Sequence, residues 1–110
     1  MDITEWIVAY NEEALTADGF DAAIIGMCER FGNTPVVAYD RDKCIEILVE
    51  QFAEDHEDYE DPDMNLREEA EEYFGHNVIG AYVGENTPVY IVFHPKFLRN
   101  YIVFHPKDVG

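Results

Sequence analysis

Apolar residues recur at Ile3, Trp6, Ile7, Tyr10 and Ala14 near the start of the chain. Steps of three and four place them on one stripe of a helix and predict helix over residues 2–15. Asp2 and Glu5 stand three apart, the spacing at which two side chains satisfy each other's exposed backbone donors at a helix start. The stretch TADG ends it. Residues 22–30 and 35–39 are rich in Ile and Val and predict two strands, with FGNT between them as a hairpin turn. Asp40 is placed to cap a second helix over residues 41–53, whose apolar stripe is Cys44, Ile45, Leu48 and Phe52. Then comes EDHEDYEDPD, residues 54–63, which reads as an exposed loop because Pro62 breaks any helix. Asn65 followed by Glu68 gives another capping start. Leu66, Ala70, Tyr73, Phe74, Val78, Ala81 and Tyr82 continue at helical spacing, although Gly75 and Gly80 each cost such a helix about 1 kcal/mol against alanine. Gly84 ends this third helix, and ENTP leads into a strand over residues 89–93.

These elements predict an α+β fold: three helices with a small, mainly antiparallel sheet of three or four strands. A chain of 110 residues reads as one domain over its whole length. An apolar content of 47% argues for a folded core, since a disordered acidic chain is poorer in such residues. The acidic start MDITEWIVAY lacks the basic residues and apolar run of a secretion signal. No apolar run is long enough to span a membrane. Cys28 and Cys44 read as reduced, buried thiols, and the expected location is the cytosol.

Charge changes the picture. The net charge is −17, and residues 54–72 hold eleven carboxylates against the single basic Arg67. These are Glu54, Asp55, Glu57, Asp58, Glu60, Asp61, Asp63, Glu68, Glu69, Glu71 and Glu72. Such a field repels anionic membranes and nucleic-acid backbones, so direct binding to either is excluded from the expectations. The bland reading is a solvated face that keeps a small protein soluble. The sharper reading is mimicry of nucleic acid, in which carboxylates on a helix and loop meet the basic groove of a host or phage protein. Glu68 and Glu72 lie four apart, where like charges repel, so this density has a local cost.

The segments DGFDAAIIG, VVAYDRDKCIEILV and REEAEEYFGHNVIGAYVGENTPVYI resemble small uncharacterised proteins of tailed bacteriophages and of bacteria carrying phage genes. The resemblance covers residues 18–91. It implies a phage or prophage origin and a small α+β domain, and it carries no assigned activity. Small acidic phage proteins are often inhibitors of host nucleases, restriction enzymes, CRISPR complexes or polymerases, so the acidic face together with the implied phage origin puts an inhibitory, protein-binding role first among the expectations. The acidic stretch over residues 54–63 and the duplicated tail both depart from the family pattern.

That tail writes YIVFHPK at residues 90–96 and again at residues 101–107. Seven identical residues point to a recent in-frame duplication. The two copies can pair as antiparallel strands, since Tyr, Ile, Val and Phe all favour extended backbone. The apolar strand can also add to a partner's sheet or to its own copy in a homo-oligomer. His94 and His105 are copies, and nothing specifies the further ligands that a metal would need.

Conventional chemistry is sparse. The chain has no serine, so a Ser–His–Asp triad is excluded. No phosphate-cradling glycine loop is present. Cys28 or Cys44 could pair with His56, His76, His94 or His105, but both thiols fall in apolar runs. Asp61, Asp63, Asn65, Glu69 and Glu72 fit part of a calcium-loop template, yet Leu66 stands where the sharp turn needs glycine. The sequence therefore favours a non-enzymatic binding protein with no cofactor and no metal. An accessory or structural module joined through the C-terminal strand, or a small metal- or thiol-dependent enzyme, is the alternative.

Overall fold

The computed structural model describes residues 2–30, 32–55 and 65–94. Helix α1 spans Ile3–Tyr10 and begins where the sequence places it, with the Asp2 carboxylate accepting the Glu5 N–H at 3.0 Å. It ends five residues earlier than its apolar spacing predicts. The cause is Asn11, whose extended backbone breaks the helix and whose buried side chain is drawn elsewhere. Its Nδ2 donates to the Pro35 carbonyl and to Asn86 Oδ1, both at 2.9 Å, and its Oδ1 accepts the Glu13 N–H at 3.0 Å. A buried amide that meets three partners outweighs one more turn of helix.

Strands β1 (Ile24–Arg30) and β2 (Asn33–Asp40) form an antiparallel hairpin closed by the pair Arg30–Asn33. Gly32 takes a φ of +77° in the turn, a conformation that glycine reaches without strain. Val36, Val37, Ala38 and Tyr39 are all buried, which marks β2 as the central strand. Asp40 follows and accepts the Lys43 N–H at 3.3 Å, and helix α2 runs from Arg41 to Asp55. It buries Cys44, Ile45 and Leu48, as its stripe predicts. Glu54 and Asp55, expected in a loop, are the last residues of this helix.

Helix α3 (Leu66–Tyr73) packs on α2 and buries Ala70. The expected long helix changes character after Tyr73: residues Phe74–Ile79 widen into a π-helical segment. Phe74, four residues after Ala70 on the same face, is fully buried at the start of this segment. Strand β3 (Val89–Ile91) then lies beside β2, giving the order β1–β2–β3. The fold is α+β as expected, with the longer β1–β2 pairing antiparallel, while the short β3 runs parallel to β2 and makes the three-stranded sheet mixed. The parallel entry of β3 has a simple origin: a strand that returns after two helices can enter from either end, and side-chain alternation does not encode its direction.

The core joins Ile7 of α1, Phe20, Ile24, Val37 and Tyr39 to Cys44, Ile45, Leu48, Ala70 and Phe74. Aromatic contacts link its layers. Phe74 meets Phe20 edge-on at 6.2 Å and Tyr90 edge-on at 5.0 Å, while Tyr90 stacks on Tyr39 at 5.4 Å. Among the described residues no helix is long and apolar enough to cross a membrane.

Candidate functional site

The acidic surface is set by how α3 is anchored. Asn65 caps it, its side chain accepting the Glu68 N–H at 3.1 Å. Glu68 and Glu69 in the first turn are favourably placed against the positive end of the helix dipole. Ala70 and Phe74 face the core, and Glu68, Glu69, Glu71 and Glu72 are all exposed. Arg67 reaches Glu71 at 3.3 Å along the helix and Asp42 of α2 at 3.7 Å. These pairs are half exposed, so each contributes little to stability. Glu54 and Asp55 are exposed at the end of α2, where negative charge meets the negative pole of the dipole. The remaining predicted contacts, Glu57, Asp58, Glu60, Asp61 and Asp63, lie outside the described residues, as do His56, His105 and the second YIVFHPK.

Two of the described carboxylates stand in a groove. Glu69 and Glu72 line an open depression of about 500 Å³ with Phe52, Tyr73, His76 and Asn77. The Phe52 and Tyr73 rings meet edge-to-face at 5.7 Å across the seam of α2 and the third helix. Tyr73 is 45% exposed. Carboxylates beside an exposed aromatic surface suit a cationic side chain, which can pair with the acid and lie against the ring. The sequence gives the carboxylates but not their aromatic companions. Phe52 lies on the apolar stripe of α2 and Tyr73 on that of α3; the sequence shows each stripe but not that the two rings meet at the surface.

A second, more enclosed cleft of about 430 Å³ is walled by Leu15, Phe20, Leu48, Val78, Pro88 and Tyr90. Nothing in the linear pattern points to it, because its walls come from four separate parts of the chain.

The thiols differ. Cys44 is fully buried, and burial, reinforced by the Asp40 charge, pushes its pKa up to about 12. It is a protonated, inaccessible thiol near neutral pH, unsuited to nucleophilic attack. Cys28 is half-buried rather than buried. His76 and His94 are exposed. Asn65, one position of the calcium-loop template, serves as a helix cap. Among the described residues no group of three His, Cys, Asp or Glu is arranged to hold a metal ion.

No known protein family, curated protein or solved structure matches this chain.

Proposed function

We propose that this protein is a non-enzymatic binding module whose acidic α2–α3 surface engages a basic, nucleic-acid-handling protein in the host cytosol. Occupying the groove that would hold nucleic acid, it inhibits its partner by competition. The observation that carries this reading is the groove that sets Glu69 and Glu72 beside the Phe52 and Tyr73 rings. It offers a lysine or arginine both a counter-charge and an apolar surface. The net charge of −17 supports it, since a strong field speeds encounter with a basic partner. The phage-type resemblance agrees with an inhibitory role.

The test is capture from bacterial lysate on tagged protein, with washes at low and then high salt and duplex DNA as competitor. A basic nucleic-acid-binding protein should be retained at low salt and released by salt or DNA. The variant Glu68→Gln/Glu69→Gln/Glu71→Gln/Glu72→Gln should lose it. Undiminished capture by that variant would sink the reading. An accessory role through the C-terminal strand is the second reading, favoured by the position of β3 at the sheet's edge. Its sign is a self-associated or virion-bound species that survives high salt.

A further inference from the structure

The seat of β3 is specified by few residues. Val89, Tyr90 and Ile91 pair with Ala38, Tyr39 and Asp40. The Tyr90 ring is held between Tyr39, at 5.4 Å and 24° between planes, and Phe74, at 5.0 Å and 89°. Tyr90 is also a wall of the more enclosed cleft. Eleven residues later the chain repeats the seated sequence, Tyr101-Ile102-Val103-Phe104-His105-Pro106-Lys107.

We propose that the seat beside β2 is a strand-binding site for a Tyr-Ile-Val-Phe segment and that residues 101–104 of the same chain are its second occupant. The second copy lies outside the described residues, so its claim on the seat comes from its sequence. Every side chain from Tyr90 onward that meets β2 or Phe74 has an identical counterpart in it. Two differences set the balance. The residue opposite Ala38 becomes Asn100 in place of Val89, which removes a partly buried branched side chain from the sheet. The slip also inserts residues 89–100 as a loop between Pro88 and the seated tyrosine. Closing a loop of that length disfavours the second register by roughly 40-fold, from the three-halves power of loop length. The first copy therefore holds the seat in the intact protein, and the second takes it when the first is impaired. Reach is not limiting: the turn that precedes the seat is pinned by Thr87, whose hydroxyl donates to the Gly84 carbonyl at 2.7 Å and accepts the Val83 N–H at 3.0 Å. Both registers leave that turn in place.

The experiment compares Tyr90→Ala in the full chain with Tyr90→Ala in a chain ending at Asn100, by urea unfolding. In the shorter chain the substitution should lower the folded-to-unfolded ratio by the full cost of losing a partly buried ring packed on the core. In the full chain the loss should be smaller, limited to the roughly 40-fold cost of the second register together with the cost of Asn100 in place of Val89. Tyr101→Ala alone should change nothing, and Tyr90→Ala/Tyr101→Ala should match the shorter chain. Folding of Tyr90→Ala only in the full chain would also support the proposal. If neither Tyr90→Ala chain folds, the milder Tyr90→Leu pair is compared in the same way. Equal losses in the two chains overturn the proposal. So does a rescue that depends on protein concentration, because the occupant would then come from a second molecule.

Discussion

β1 and β3 flank the same strand, but they are held by different means. β1 reaches β2 through a two-residue turn and pairs along most of its length. β3 arrives after two helices and pairs at three positions only. The first seam is local and closes with little chain entropy lost. The second depends on rings, with Tyr90 held by Tyr39 and Phe74. A strand can therefore be secured by its ladder or by its side chains, and only the first kind is written in neighbouring residues.

The shared strand offers the largest test, because it breaks both seams. Tyr39 is buried, and burial raises its hydroxyl to about 12 even though the Ala17 N–H, donating to it at 2.7 Å, pulls the other way. Cys44 beside it is raised to about 12 as well. In the unfolded chain these groups lose their protons near pH 10 and 9. Raised folded values mean that their contribution is complete below pH 9 and is lost as pH climbs towards 12. A pH series of thermal melts should stay flat to about pH 9 and then collapse. Cys44→Val should move the onset upward, and an unchanged onset would remove the thiol from the account.

Phe74→Ala should break the second seam while leaving the first. The ring is wholly buried and touches both Phe20 and Tyr90. Its loss should cost about 3–5 kcal/mol in urea unfolding, and amide exchange should rise first at β3. A uniform rise through both seams would show that they are not separable.

Gly32→Ala acts on the first seam. At a φ of +77° an alanine is strained but meets no neighbour within 4 Å. About 1 kcal/mol should be lost, with amides near the Arg30–Asn33 pair exchanging faster and β3 unaffected. The smallest effect belongs to neither seam. Arg67→Ala removes exposed ion pairs to Glu71 and Asp42 and should cost only a few tenths of a kcal/mol. A loss above 1 kcal/mol would mean that the acidic surface is held together by this one arginine.

What could be read from the chain follows the same division. Asp2, Asp40 and Asn65 announce their helices because a cap acts over three residues. The apolar stripe of α2 fixes its buried face in the same local way. The early end of α1 was hidden because Asn11 is recruited by Pro35 and Asn86, which are distant in sequence. The parallel entry of β3 depends on where Tyr90 must pack, between Tyr39 and Phe74, and the π-helical segment follows an apolar spacing that stays regular, so spacing alone carries neither. The carboxylates of α3 were plain, whereas their groove needed Phe52 and Tyr73 to meet from separate helices.

The Asn11–Asn86 bond spans 75 positions of the chain, and this gives it a place in time. Contacts so far apart close a large loop and form late, after the hairpin and the helices have assembled. Asn11→Ala should then speed unfolding in a stopped-flow experiment and leave the refolding rate nearly unchanged. The residue that cuts α1 short would thus act as a latch on the finished molecule, setting how long the native state lasts rather than how fast it is reached.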